Sequence, residues 1–450
     1  MNATRMSLPR ARAWDSDNAL LFSLSNTALL VCLTVLYSGA LRYLGHISSL
    51  LLYSFYVLLF GCMALSLLTA RGRVEFRWLS VLPYMGWLAG YMLWGTLFSP
   101  DQDAVLREMM RYGFRNALVL SIIVVALVNR HSLYRFAAFV QVAVIVNAGF
   151  SLWLAFNPMR MLQLALYLDP TAAAYSERPG GLWINPNEAS FAFLFGLILS
   201  HWVRGKWVWV ARVAALLGIF LSASRTGFLL AGMCVVVFVV YYFRNSHPQA
   251  RAAVVILLAG LLVAARVGWL QQSLAPLNIE VGQQTALERL TDLSESTTTV
   301  GSGVTRRELT LLGLARLVEA PWYGNGFLSF QGGESAARVG LQRGVHNIYV
   351  AVGGEAGWLV LLLFLGLLTL GIVRTIRAQV LAGEKLVLYL FWVCYLLIGL
   401  VWHNQLTSVA GAVYAGLLFH VPYMLDKEGV PGSTALTPDA GTSKASGARS

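Results

Sequence analysis

Charge is the scarcest ingredient of this chain. Asp, Glu, Lys and Arg make up 12% of its 450 residues, whereas 57% are hydrophobic and the mean hydropathy is +0.65. A soluble globule carries about 25% charged residues, so a water-soluble class is excluded and a polytopic membrane protein is implied. Cysteine is equally rare. Cys32, Cys62, Cys234 and Cys394 all lie in apolar runs, with no CxxC or Cys/His spacing. That excludes a disulfide framework and a zinc site, and leaves four small hydrophobes. Lysine occurs four times only, and no basic patch is interleaved with aromatics, so nothing points to nucleic acid. There is also no solenoid-period repeat and no matching pair of interrupted helices such as inverted-repeat transporters show.

Long apolar runs fill the space left by these absences. Segments of about 20 residues with few charges fall near 19–38, 47–69, 78–98, 115–128, 133–156, 187–203, 207–221, 226–243, 252–270, 346–373, 386–402 and 407–425. The expected fold is therefore all-α, with about twelve transmembrane helices, the fourth and seventh of them short. The first follows Arg5, Arg10 and Arg12 without a small-residue cleavage site, which marks it as a retained anchor. Twelve spans put both termini on one side. The short loops of that side carry thirteen Arg and Lys, the opposite short loops five: Arg42, Arg107, Arg111, Arg115 and Arg225. By the positive-inside rule the termini, 1–18 and 426–450, are cytoplasmic. The net charge of +12 is then mostly a topology signal, and the Pro-, Gly-, Ser- and Thr-rich tail is expected to be disordered.

Two long segments interrupt the spans on the exported side, 157–186 and about 271–345, between the helices of 19–270 and those of 346–425. In the second, Thr305 and Glu308 form a capping box and Pro321 marks an exit, which predicts a helix over 306–319. Arg306 and Arg307 fall in its first turn, where cations oppose the helix dipole but, beside free backbone N–H groups, suit a phosphate. The alternative is that they hold lipid headgroups or pair with Glu308 and Asp292. Arg225 stands in a polar corner at the exported face with no Asp or Glu between Glu188 and Glu280. Its counter-charge must come from a distant loop, a ligand or a lipid phosphate. His346 opens an apolar run, placing an imidazole at the membrane edge, where ionisable groups are functional candidates; capping of a helix is the structural alternative. In the stretch from Gly180 to Glu188, Asn185, Pro186 and Glu188 read as a helix start, though its glycines and Asn187 could line a sugar site. Arg107, Arg111 and Arg115, spaced by four, present one helical face to an anionic lipid or phosphorylated acceptor. Asp101 and Asp103 before them suit a helix N-terminus, or a divalent cation.

Pro186-Asn187-Glu188, Ser224-Arg225, Arg306/Arg307 before a helix ending in Pro321-Trp322-Tyr323-Gly324-Asn325-Gly326, and His346-Asn347-Ile348-Tyr349 followed by Glu355-Ala356-Gly357 together resemble the bacterial O-antigen ligase and polymerase superfamily over roughly residues 180–400. The resemblance implies a GT-C-like inner-membrane glycosyltransferase with a periplasmic active site and no cofactor. Its donor would be an undecaprenyl-diphosphate-linked glycan, and for a ligase the acceptor is lipid A–core. Arg225 with Arg306 or Arg307 would stabilise the leaving diphosphate. His346 would deprotonate the acceptor hydroxyl, giving inversion without a metal, and Asn187, Asn347 and Tyr349 would contact substrate. A departure from the family is Thr310 or Leu311 where relatives often have Trp, which leaves open which of the two arginines is equivalent. An O-antigen polymerase and a protein O-oligosaccharyltransferase are the alternatives within the superfamily. A polysaccharide or lipid transporter, from another class, would instead show charges or broken helices near the bilayer midplane.

Overall fold

The computed structural model describes residues 16–70, 74–99, 101–168, 178–245, 280–281, 284–285, 306–319, 322–331, 340–341 and 344–429. Apart from a two-residue hairpin (Glu280–Val281 with Gln284–Thr285), these residues build helices and turns. In chain order the helices are α1 (Ser16–Tyr37), α2 (Leu41–Ile47), α3 (Ser49–Ala70), α4 (Leu82–Leu97), α5 (Gln102–Ala126), α6 (Arg130–Ala155), α7 (Pro158–Leu168), α8 (Pro186–Leu199), α9 (Val208–Leu221), α10 (Arg225–Asn245), α11 (Arg306–Glu319), α12 (Ile348–Arg377), α13 (Ala382–Gly399) and α14 (Val409–Glu428). Among the described residues, eight helices are long and apolar enough to cross a membrane: α1, α3, α5, α6, α10, α12, α13 and α14. The shorter α4, α8 and α9 occupy three further expected spans, and the segment 252–270 lies outside the described residues. The protein is thus a helical polytopic membrane protein.

Local chemistry explains where the helices begin. The Asp101 side chain accepts from Ala104 N–H at the start of α5, Asn129 and Ser132 form a capping box for α6, and Ser408 accepts from Gly411 N–H to start α14. Burial sorts the helices into centre and rim. The hydrophobic stretch of α14 is 83% buried, and every residue of α8 except Asn187 is buried. In contrast, the stretch of α3 is 11% buried and presents Leu50, Tyr53, Val57 and Leu68 outward. An apolar surface of that extent is what hydrocarbon covers. Fourteen residues of helix reach only about 21 Å, so α8 does not span on its own length. It is tolerated because α6, α9, α10 and α13 enclose it and Asn185 caps its start.

Two expectations change. The fourth span, expected at 115–128, is the last part of the 25-residue α5, so Arg107, Arg111 and Arg115 ride on the spanning helix itself. The apolar run at 346–373 is not one rod. α12 breaks at Gly357 (φ +84°), into helical stretches 348–356 and 358–377. A Cβ at that position would lie 1.8 Å from the Trp322 carbonyl oxygen, so only glycine fits. Carbonyls stranded by the break are taken up from outside: Asn325 N–H donates to Gly354 O (2.8 Å) and Gly326 N–H to Glu355 O (3.0 Å).

The two ends of the bundle differ. At the end where α14 finishes, Arg130 Nε donates to Glu384 Oε1 (2.5 Å), Tyr134 donates to the same carboxylate (2.7 Å), and Arg130 N–H reaches Glu428 (3.0 Å). Gln379 N–H donates to Asp426 (2.7 Å) and Arg77 to Met424 O (2.9 Å). The last span expected to stop at 425 therefore continues to Glu428, and the tail from 430 onward lies outside the described residues. The candidate site occupies the opposite end.

Candidate functional site

The chain from Gly180 to Glu188 is tied down before α8 begins. Gly181 takes φ +58° within 2.6 Å, measured from an added Cβ, of Ser151 Oγ. Leu182 N–H donates to Asn147 Oδ1 (3.2 Å), and the buried Trp183 indole donates to Tyr37 O (2.9 Å). Asn185 caps α8, accepting from Asn187 N–H (3.0 Å) and Glu188 N–H (3.4 Å), with Pro186 in the first turn. The stretch is thus a helix start, as its residue types require. It also delivers Glu188, buried, to the wall of a cavity.

That cavity, about 1110 Å³, lies between the ends of α1, α3, α8 and α14, the middle of α5 and the turn preceding α14. Its polar lining includes His46, Arg111, Arg115, Asn185, Glu188 and Asn404, and Tyr56, Met110 and Phe114 supply apolar wall. Of the expected arginine stripe, Arg107 and Arg111 are exposed, with Arg111 3.6 Å from Glu108. Arg115 is half-buried, its guanidinium 5.0 Å from the Tyr112 ring centre, a cation–π arrangement that desolvation strengthens. The stripe therefore divides: two arginines at the surface and one turned inward. Arg111 and Arg115 are brought together with Glu188, and Arg107 is not part of the lining.

Arg225 opens α10 after Ala223 (φ +46°) and Ser224. A Cβ at Gly227 would lie 1.7 Å from Ser190 Oγ, so α10 seats directly against the first turn of α8. Arg225 is half-buried, two residues before that contact.

His346, also half-buried, stands between two fixed neighbours. Val345 is buried and its N–H donates to Phe330 O (2.8 Å). Asn347 caps α12 by accepting from Tyr349 N–H (3.0 Å) and Val350 N–H (3.1 Å). The Tyr349 hydroxyl donates to Leu396 O (3.0 Å), next to Gly399 and Gln405. Asn347 and Tyr349, expected to contact substrate, thus make protein bonds that hold the histidine's helix. α11 runs over 306–319 as its caps imply, and its Gly313 packs on Val345, a Cβ there falling 2.6 Å from a Val345 methyl. Arg306 and Arg307 lie at its start; their side chains fall outside the described part of the structure. Asp101 is occupied as an N-cap and Asp103 is exposed in the first turn of α5, and among the described residues no three His, Cys, Asp or Glu side chains cluster as metal ligands.

Two features of this end were not anticipated. One is the cavity itself, formed by residues from six separate stretches of chain. The other is Glu355, fully buried, bonded to Tyr91, Phe330 and Gln331. A signal for it existed: it is the single acidic residue in the apolar run 346–373.

The fold and site define a helical polytopic membrane protein with a polar, arginine-containing cavity at one end of the bundle; Arg225 and His346 lie at that end but are not among the residues lining it. Residues 210–365 match the O-antigen ligase family model, a stretch that contains Arg225, Arg306, Arg307 and His346, and the match supports membership of the O-antigen ligase superfamily. No curated protein matches the chain.

Proposed function

We propose that this protein is an O-antigen ligase, a glycosyltransferase that moves a glycan from undecaprenyl diphosphate to lipid A–core at the periplasmic face of the inner membrane. The observation that carries the reading is the assembly of Arg111, Arg115 and Glu188 around one cavity at the end of the bundle where Arg225, His346 and the first turn of α11 also lie. In the reaction, an acceptor hydroxyl oxygen attacks the anomeric carbon. The bond from that carbon to the diphosphate breaks, and the hydroxyl proton passes to His346. Negative charge growing on the diphosphate is met by Arg225 and by Arg306 or Arg307, whose planar forks match phosphate oxygens. Arg111 and Arg115 receive the phosphorylated acceptor. The termini are assigned to the cytoplasm, where the basic loops gather.

An O-antigen polymerase shares the donor chemistry and differs in the acceptor. Purified protein incubated with lipid-linked glycan and lipid A–core is expected to yield glycosylated lipid A–core without ATP. Product formed only between two lipid-linked repeats would instead make it the polymerase. Deleting the gene is expected to leave long glycan on undecaprenyl diphosphate and bare lipid A–core; single repeats on lipid A–core would again indicate failed chain growth. The break in α12 does not favour a transporter. It lies a full 20-residue helix, 358–377, from the terminal end, and its freed carbonyls are bonded to 325–326.

A further inference from the structure

The carboxylate of Glu355 is 0% exposed, two residues before the break of α12. Burying such a group is costly without partners, and here each oxygen has a donor. Oε1 accepts from Phe330 N–H (3.1 Å); Oε2 accepts from the Gln331 amide (3.2 Å) and from the Tyr91 hydroxyl. The backbone on both sides is pinned as well, through Asn325 and Gly326 to the α12 carbonyls and through Phe327 N–H to Gly95 O (2.8 Å) on α4. Phe330 then uses its carbonyl to hold Val345 N–H (2.8 Å), and the next residue is His346.

We infer that Glu355 is a positioning residue for His346. Through Phe330 it fixes the strand-like approach of Val345, while the Asn347 cap fixes the other side, so the imidazole is suspended between two anchors on the same helix. The assignment of a purpose to that suspension rests on the proposed role of His346 as base. The clamp itself does not.

Both parts can be tested in the full-length protein in proteoliposomes. Glu355→Ala removes the acceptor of the Phe330 N–H and the Tyr91 hydroxyl and leaves the part-buried Gln331 amide only its longer contact with Tyr91 (3.5 Å). Glu355→Gln retains an oxygen for Phe330 N–H, and the Tyr91 hydroxyl and Gln331 amide can reorient to meet the new NH2. The readouts are the rate at which diethyl pyrocarbonate modifies His346, resolved by peptide mass spectrometry, and kcat and KM for the lipid-linked donor. Glu355→Ala is expected to raise His346 modification several-fold and to lower kcat about 10- to 100-fold, the scale of a misplaced reacting group, with donor KM little changed. Glu355→Gln is expected to restore most of both. An unchanged His346 modification rate in Glu355→Ala, or a Glu355→Gln protein as impaired as the alanine variant, overturns the inference. If the alanine variant does not fold, Tyr91→Phe removes one of the three donors and must still change His346 modification; no change there also overturns it. Altered modification combined with an active His346→Ala protein would uphold the clamp and remove the general-base role.

Discussion

At the terminal end, Arg130 closes on Glu384 and Glu428 with 15% of its side chain exposed, and Glu384 is 2% exposed. At the other end Arg111 lies 68% exposed beside Glu108, and Arg115 shares a cavity wall with Glu188. The same residue type therefore stands in two different settings in one bundle. Where arginine is buried against carboxylates from α13 and α14, it bolts helix ends together. At the other end it lines a cavity of ligand size, which on the proposed function receives charge arriving from outside. A count of basic residues per loop separates the two ends but not these two settings.

The comparison can be broken most sharply at the loop end. His346→Ala is expected to reduce transfer by about 100-fold or more, the range of a lost general base, with an unchanged thermal midpoint. Transfer near the parent level would remove the role. Arg225→Lys keeps charge and loses the planar fork, so a large drop in turnover is expected, smaller than that of the histidine variant. If lysine serves equally well, Arg225 acts as a point charge or lipid anchor. The terminal end should show the opposite pattern. Glu384→Ala removes the shorter of the two carboxylate contacts of Arg130 and leaves Glu428, so a lower melting temperature is expected, while turnover per folded molecule is retained. A turnover loss without destabilisation would dissolve the contrast between the ends. The smallest effect concerns metal. Because Asp101 is used as an N-cap, excess EDTA is expected to leave transfer unchanged, and loss restored by Mg²⁺ or Mn²⁺ would make Asp101 and Asp103 ligands.

Much of the fold was legible because hydrophobic length and cap chemistry are local properties. The bounds of α11 follow from Thr305, Glu308 and Pro321, and the start of α8 from Asn185 and Pro186. The extent of α5 was not, since Arg107, Arg111 and Arg115 dilute its first half below the hydropathy of a span while the helix simply continues through them. The break in α12 was hidden for the reverse reason. Gly353, Gly354 and Gly357 stand in an unbroken apolar run, and which glycine turns left-handed depends on Trp322 approaching from 35 residues upstream. The same limit applies to the site. Residue types nominated Arg225 and His346, but the cavity required α1, α5, α8 and α14 to converge, and Asn347 and Tyr349 proved to have backbone partners. The thiols of Cys234 and Cys394, from separate runs, meet at 3.7 Å, a proximity that spacing along the chain does not encode.

The glycine hinge in α12 also sets a height. The stretch 358–377 measures about 30 Å, a hydrocarbon thickness, at the helical rise of about 1.5 Å per residue. What precedes it, 348–356, extends no farther than about 14 Å by the same rise. On the proposed function, an imidazole held at its tip meets the layer of lipid headgroups and the first sugars above them. A polyprenyl chain anchored in the same bilayer delivers its phosphate–sugar junction to that layer without leaving the membrane. On that reading, lengthening 348–356 by one helical turn is expected to lift His346 out of register with a lipid-linked donor, whatever sugars it carries.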